Sequence, residues 1–313
     1  MNEHVQAAIR DLVMANRILG NEGVVDAFGH ISLRHPDNAG RYFLACSRSP
    51  GLVTEDDIVE FDLDSNRLDG SNRAIYAERF IHGCLYKARP DVMSVCHSHA
   101  HAVVPFTVTN TPIEPIWVMA SGSGSNVPNW DIRDEFPNEG TMLVVNDATG
   151  QSLARKLGAG RVCLLRGHGA VIATSELKAT VMVSIGLMCN AAMLIQAHTL
   201  SQGRGDAAVK HLSPAEIEST SKILLGPLGL DRAWEYWRVR AGFPAKTLQG
   251  VWLVRKFFRQ EFHCDVPLEL GVLGLINDTH TASAHFPQDF VAAGSCIPGG
   301  CRRIPRSGRS IRR

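Results

Sequence analysis

The chain has 313 residues, of which 45% are hydrophobic, and 32 basic side chains against 31 acidic ones give a net charge of +1. This is the composition of a soluble globular protein with a sizeable core, built as one large domain or as a domain with an appendage. The charge balance gives no indication of a nucleic-acid or anionic-membrane partner, and no uninterrupted apolar run reaches the roughly 18 residues that span a bilayer.

The first half of the chain alternates helices with short strands. Residues Val5, Ile9 and Val13 recur at helical spacing, and Pro90 disfavours helix at the residue before it. We predict helices at 5–19, 74–88 and 102–108, and strands at 29–35, 41–46, 57–63, 92–99, 115–120 and 141–145.

The second half is richer in helix. We predict helices at 148–160, 175–201, about 213–224 and 230–241, and two strands within 161–174 around a Gly-His-Gly turn. The order shows no regular βαβ repeat and no dinucleotide-binding fingerprint. It predicts an α/β fold, a three-layer α/β/α sandwich around a mainly antiparallel or mixed central sheet.

The chain changes character near residue 242. We predict a catalytic domain at 1–241 and an atypical extension at 242–313 that is poorly ordered toward its arginine-rich end. A basic tail can bind nucleic acid, but no aromatic interleaving accompanies it. The apolar stretch 251–258 is the one segment there that could dock on the main domain, and a frame-shifted or fused coding end is one possible origin.

The eight cysteines form no CxxC pair and mostly lie in apolar segments, and the N-terminus lacks the apolar core of a secretory signal. Both features predict a cytoplasmic protein with reduced thiols.

The stretch SVCHSHAHAVV places histidines at alternate positions within an apolar run. On a strand, His97 and His99 project from the same face and can hold one divalent cation. The third ligand we predict is His168, at the turn in LLRGHGAV, where flanking glycines expose the ring. His101 shares that face only if the strand continues, so we expect it to line the pocket. The alternative, buried histidines with ordinary hydrogen bonds, remains open on spacing alone.

A resemblance favours the metal. The segment AERFIHGCLYKARPDVMSVCHSHAHAVVPFTV, followed about 70 residues later by LLRGHGAVIA, resembles the class II aldolase/adducin family over about 5–241. The resemblance implies one catalytic divalent metal per subunit, held by His97, His99 and His168, with Glu78 as acid/base that can also approach the metal. We expect Zn²⁺, with Mn²⁺, Fe²⁺ or Co²⁺ as possibilities. It also implies a homo-oligomer, with a tetramer favoured.

Three substitutions bear on the substrate. The family's sugar-phosphate aldolases and epimerases hold phosphate with an AGNVS-like turn, a PTG-like turn and a serine pair, where this chain has AFGHIS, CSRSP and IYAE. The candidate substrate-binding residues are thus His30, Ser47, Arg48 and Tyr76. These groups suit planar carboxylates and aromatic rings. The pattern is similar to the decarboxylase branch, although Arg48 could equally form a surface ion pair.

The resemblance therefore implies a metal-dependent carbon–carbon lyase of aromatic catabolism. We expect a decarboxylase of a hydroxylated aromatic acid or a carboxymuconate semialdehyde, acting through a metal-stabilised enolate or phenolate. Glu78 is expected to protonate the carbanion, with a pKa raised by burial. The alternatives are a sugar-phosphate aldolase or epimerase and, from another class, a non-catalytic adducin-like scaffold. The expected partner is a small carboxylate, with no nucleic acid and no membrane.

Overall fold

A computed structural model of the chain describes residues 2–109, 111–202 and 209–245. Its helices are α1 (Glu3–Asn21), α2 (Phe80–Ala88), α3 (Val104–Thr107), α4 (Asp147–Leu157), α5 (Leu177–Ser201), α6 (Pro214–Leu224) and α7 (Pro227–Arg240). Its strands are β1 (His30–Arg34), β2 (Arg41–Ala45), β3 (Ile58–Asp62), β4 (Ser94–Ser98), β5 (Asn129–Trp130), β6 (Val162–Leu165) and β7 (Gly169–Thr174). Short 3-10 turns connect several of them, and one, Ala77–Arg79, directly precedes α2.

The strands form one sheet in the order β3-β2-β1-β4-β7-β6-β5. All neighbours are antiparallel except β5 and β6, which are parallel. The predicted mainly antiparallel sheet is therefore confirmed. The register places His30 of β1 opposite His97 of β4, and His97 opposite Val171 of β7. His97 thus has a paired residue on each side, one on β1 and one on β7.

Helices cover both faces of this sheet. One buried apolar cluster contains Leu12 of α1 and residues of α5, and a second contains Leu85 of α2 and residues of α4. Strand β4 contributes Cys96 to the first cluster and Val95 to the second, because successive side chains of a strand point to opposite faces. The predicted three-layer α/β/α sandwich is confirmed.

Helix α5 is the longest helix of the described part of the chain. Among the described residues it is the one helix that is long and apolar enough, by length and composition, to cross a membrane. In the fold, 67% of its most apolar window is buried. Core helices of globular proteins can be equally long and apolar, because a helix buried on most sides is apolar on most sides.

Most predicted elements are present with ends shifted by a few residues, but two predicted strands are wrong. Residues 115–120 do not pair in the sheet, and Val118–Ser123 form a 3-10 helix that contacts α5 and α6. Residues 141–145 form no strand, although Val144 is buried. Each run buries only part of its apolar side chains, Ala120 in the first and Val144 in the second, while Val118 and Leu143 are exposed. A short apolar run without strict alternation does not by itself specify a strand. Strand β5, with two residues, is too short for periodicity to detect.

The helix predicted at 74–88 begins later, at Phe80. The Ser47 N–H donates to the Ala74 carbonyl, and Ile75 forms an isolated antiparallel bridge with Cys46. The segment therefore pairs with the end of β2 before it turns into the helix, which holds Glu78 at the junction.

Helix α7 ends at Arg240, close to the predicted domain boundary. Residues 246–313, including the apolar stretch 251–258, lie outside the described residues, so the predicted character of the extension stays a prediction.

Candidate metal centre

Strand β4 brings the alternate histidines together. His97 lies on β4 and His99 directly follows it, and their Nε2 atoms lie 2.9 Å apart. His168 lies at the turn between β6 and β7, with its Nε2 atom 3.3 Å from that of His97 and 3.1 Å from that of His99. Three imidazole nitrogens predicted from sequence therefore converge on one point.

The turn that carries His168 depends on two glycines. Gly167 has a φ of 63°, in the left-handed region that side chains with a Cβ rarely adopt. At Gly169, a Cβ would lie 2.0 Å from the Ser98 carbonyl oxygen, so any larger residue would push β7 away from β4. The Gly167 N–H also donates to Thr107 Oγ1 at 2.8 Å. These constraints hold the backbone of the turn that carries His168 against β4.

Glu78 completes the cluster from the 3-10 turn before α2. Its Oε2 atom lies 3.4 Å from His97 Nε2 and 3.5 Å from His168 Nε2. Its other oxygen, Oε1, accepts a hydrogen bond from the Val144 N–H at 2.9 Å. One carboxylate oxygen is thereby anchored to the protein, and the other is directed at the three imidazoles. The run 141–145 thus positions Glu78 rather than forming a strand.

The donor set fits a divalent cation. His97 Nδ1 faces the Ala170 carbonyl at 3.3 Å, and His99 Nδ1 faces Asp26 Oδ1 at 3.1 Å. Both acceptors require the ring proton on Nδ1, which leaves the Nε2 lone pairs directed at each other. A tetrahedral cation bound at about 2.0–2.1 Å requires ligand nitrogens about 3.3 Å apart. The observed separations of 2.9, 3.1 and 3.3 Å match that requirement closely.

The charge state of Glu78 differs from the sequence-based expectation. Burial by itself raises its pKa, but the facing imidazoles of His97 and His168 and the Val144 N–H outweigh burial and lower the pKa to about 2. The expected raised pKa is therefore wrong, and Glu78 is a carboxylate at neutral pH. Burial, followed by the neighbouring His97, lowers the pKa of His168 to about 4, which keeps that ring neutral and able to bind a cation.

Asp26 is a site residue that the sequence analysis missed. Its Oδ1 atom accepts hydrogen bonds from the Phe28 N–H at 2.8 Å and the Gly29 N–H at 2.9 Å, besides facing His99. An aspartate two and three residues before the N–H groups it binds is a recognisable turn signal. The contact with His99 has no local signal, because it joins residues 73 positions apart.

Two predicted substrate-binding residues lie beside the cluster. The His30 ring centroid is 5.2 Å from that of His97 and 4.5 Å from that of Tyr76. Both side chains are buried. The Tyr76 hydroxyl donates to the Arg48 carbonyl, and burial raises the pKa of this phenol, so it stays protonated. The His30 ring therefore borders the centre, and the Tyr76 ring packs against His30.

The other three predicted substrate residues make no hydrogen bond or ion pair with the three histidines within the described part of the chain. Arg48 Nε donates to the Leu52 carbonyl at 2.9 Å and lies 3.4 Å from Asp57 Oδ2, with the side chain 44% exposed. This is the surface ion pair considered as the alternative. Ser47 and His101 are exposed, and within the described residues His101 has no hydrogen bond, ion pair or ring contact to the cluster. Their roles toward a substrate stay predictions.

A second polar cluster, also missed, lies behind His30. His82 Nε2 lies 2.7 Å from His30 Nδ1, and His82 Nδ1 lies 2.6 Å from Ser32 Oγ, which in turn is 2.7 Å from the Tyr86 hydroxyl. All four side chains are buried. Two spacings in the sequence could have indicated this cluster. His82 lies four residues after Glu78, as residues on one helix face do, and Ser32 lies two residues after His30, as residues on one strand face do.

The chain has clear relatives. A family model described as the class II aldolase and adducin N-terminal domain matches residues 10–195. The chain is 30% identical over 254 residues to decarboxylase tropJ of Talaromyces stipitatus, covering 76% of this chain and 95% of that protein. It is 28% identical over 235 residues to the 3,4-dihydroxyphthalate decarboxylase of Arthrobacter keyseri, covering 72% and 90%. The relatives support a lyase.

A solved structure shares the fold. The L-fuculose 1-phosphate aldolase from Glaciozyma antarctica PI12 matches with a TM-score of 0.61 at 20% identity, covering 77% of this chain and 92% of that one. The family model spans all four clustered residues, Glu78, His97, His99 and His168. The chain therefore belongs to the class II aldolase and adducin family.

Proposed function

We propose that this protein is a divalent-metal-dependent decarboxylase of a hydroxylated aromatic acid or a carboxymuconate semialdehyde. The observation that carries the proposal is the cluster of three imidazole nitrogens and the Glu78 carboxylate, bordered by the rings of His30 and Tyr76. A decarboxylase is further supported by the names of the relatives, of which one acts on 3,4-dihydroxyphthalate.

The residues that would hold the cation are His97, His99 and His168, with Glu78 Oε2 adjacent. A divalent cation bound there would supply Lewis-acid polarisation of a hydroxyl or carbonyl oxygen next to the scissile bond. The nitrogen-rich donor set favours Zn²⁺, and Mn²⁺, Fe²⁺ or Co²⁺ are also compatible.

Glu78 is ionised at neutral pH, because its pKa is lowered to about 2, so it has to take up a proton before it can deliver one. Its free oxygen, Oε2, takes the proton from the substrate hydroxyl, while Oε1 stays bound to the Val144 N–H. The carbon–carboxylate bond then breaks, carbon dioxide leaves, and the electron pair remains on the ring carbon. Oε2 returns its proton to that carbon, and water reprotonates the product oxygen on release.

His30 and Tyr76 bind the substrate rather than transfer protons. Burial and the neighbouring imidazoles lower the pKa of His30, so its ring is neutral and can accept the face or edge of an aromatic substrate. The positions where family aldolases hold phosphate carry these rings instead, which favours an aromatic acid over a sugar phosphate. We further propose a cytoplasmic homo-oligomer, with a tetramer favoured.

The test compares two substrate classes on the full-length, Zn²⁺-loaded protein. Carbon dioxide release is measured from dihydroxylated benzoates and phthalates, and aldehyde release from sugar phosphates. We expect carbon dioxide from at least one aromatic acid, and loss of it in His99→Ala. Cleavage of a sugar phosphate alone would establish the aldolase alternative. A protein that binds no metal and turns over neither class would establish the adducin-like scaffold.

A further inference from the structure

Four buried side chains form a continuous hydrogen-bonded row that ends at the metal centre. The row runs from the Tyr86 hydroxyl through Ser32 Oγ and His82 to His30, with separations of 2.7, 2.6 and 2.7 Å. The exposed fraction of each side chain is at most 1%. Because these contacts are direct and buried, each contact needs one donor and one acceptor from the row itself.

The distances favour one direction for the row. Ser32 carries one hydroxyl proton, and its nearest acceptor is His82 Nδ1 at 2.6 Å, whereas the Val95 carbonyl is 3.5 Å away. The Tyr86 hydroxyl then donates to Ser32 Oγ. A phenol is a stronger hydrogen-bond donor than an aliphatic hydroxyl, so this order is favoured over the reverse. Burial raises the pKa of Tyr86, so the donor keeps its proton.

The direction determines two tautomers. In this direction His82 accepts at Nδ1, so its proton lies on Nε2 and is donated to His30 Nδ1. His30 accepts at Nδ1, so its own proton lies on Nε2. Within the described residues, His30 Nε2 has no hydrogen-bond partner, and the ring lies beside His97 and Tyr76. A neutral imidazole with a free N–H therefore borders the metal centre.

We propose that Tyr86, Ser32 and His82 are positioning residues that hold His30 in the Nε2–H tautomer, so that it donates a hydrogen bond to the substrate carboxylate. The identity of that ligand rests on the proposed function. In the opposite tautomer His30 would present a lone pair, which repels an anionic oxygen. The row therefore selects substrates with an acceptor at this position.

The substitutions that test the row are His82→Gln and His82→Leu. The glutamine amide N–H₂ can replace the donor to His30 Nδ1, whereas leucine has a similar bulk and no donor. Ser32→Ala is a second route to the same change, because it removes the donor to His82, and it serves if His82→Leu does not fold.

Side-chain NMR of the full-length protein with ¹⁵N-labelled histidine reports each tautomer directly, and His30→Gln assigns the His30 signals. We expect His30 as Nε2–H in the parent and in His82→Gln, and a mixture of tautomers in His82→Leu or Ser32→Ala. Affinity for the probe 2-hydroxybenzoate should fall about 10- to 100-fold in the latter two, as for other groups that orient an imidazole, with metal content unchanged.

A proton on Nδ1 of His30 in the parent would overturn the inference, as would unchanged affinity for 2-hydroxybenzoate after the tautomer is lost. Loss of metal in His82→Leu and Ser32→Ala alike would also overturn it, since the row would then only support the fold. Neither NMR nor probe binding requires turnover. If both behave as expected while no aromatic acid is decarboxylated, the proposed function fails and the assigned hydrogen-bond row stands.

Discussion

Asp26 Oδ1 lies 3.1 Å from His99 Nδ1, although the two residues are 73 positions apart in the chain. The same oxygen accepts the N–H groups of Phe28 and Gly29, so the carboxylate is held by its own turn. These hydrogen bonds and the neighbouring His99 help to lower the pKa of Asp26 against the opposing effect of burial, so it is ionised at neutral pH. An ionised carboxylate on Nδ1 directs the Nε2 lone pair of His99 into the metal centre.

Asp26→Asn should therefore weaken metal binding about 10- to 100-fold, the usual effect of removing a carboxylate that orients a ligand histidine. Competition with a chelator measures this affinity. Asp37→Asn is the matched control, because Asp37 pairs with a surface histidine, His4, whose Nδ1 atom lies 2.9 Å from Asp37 Oδ1. The metal affinity of this variant should equal that of the parent protein. Equal affinity in the Asp26 variant would mean that the turn alone orients His99.

Replacement of any of the three histidines should remove the cation. In His97→Ala, His99→Ala and His168→Ala we expect metal-free protein without activity and with a largely intact fold, measured by elemental analysis and circular dichroism. His101→Ala is the control, since this exposed residue lies two positions after His99 and should leave metal content unchanged. Full occupancy in the His97 and His168 variants would rule out the site.

Glu78→Gln should retain metal and lose turnover by about 10²–10⁴-fold, because the amide keeps the shape but cannot carry the proton. The Gln oxygen can still accept the Val144 N–H that holds Oε1 in the parent, so stability should change little. Steady-state rates and metal content on the same sample are the measurement. A rate within a few-fold of the parent would assign the proton transfer to another group.

Arg48→Lys distinguishes substrate binding from the ion pair with Asp57. If Arg48 leaves Asp57 to bind a substrate carboxylate through two parallel N–H···O bonds, lysine cannot reproduce the contact, and KM for a dicarboxylate should rise. Arg73→Lys is the control, because Arg73 also pairs with Asp57. Equal and small changes in KM for both variants would leave Arg48 with only the ion pair.

Truncation after residue 260 should leave metal binding and decarboxylation intact. The extension has no periodic apolar face long enough to build a second core, and its ordering would cost roughly 1–2 kcal/mol per residue in backbone entropy. Solubility and metal content of the truncated protein are the measurement. An insoluble or metal-free product would show that the extension belongs to the fold.

Local patterns predicted much of this molecule. The period-2 geometry of a strand places His97 and His99 on one face without any knowledge of the sheet, and the glycines around His168 indicate a tight turn. The residues of α1 likewise carry their own helical periodicity, with Val5, Ile9 and Val13 buried on one face. Such features depend on neighbours within a few positions, so they can be read from the chain.

Other features depend on which strands pair and in what register. His30 lies beside His97 only because β1 and β4 are antiparallel neighbours, and the Ser32–His82 contact joins residues 50 positions apart. The apolar runs 115–120 and 141–145 form no strands, because a short apolar run does not by itself specify a strand partner, and both leave large apolar side chains exposed.

The charge of Glu78 shows the distinction most clearly. Sequence and resemblance indicated a buried carboxyl, and burial by itself raises a pKa. The folded chain places His97, His168 and the Val144 N–H against that carboxyl, and together they lower its pKa to about 2. The sequence by itself determined which side chains are available for the centre. Only the tertiary structure decided their protonation, because electrostatic interactions depend on distances of a few ångströms between residues far apart in the chain.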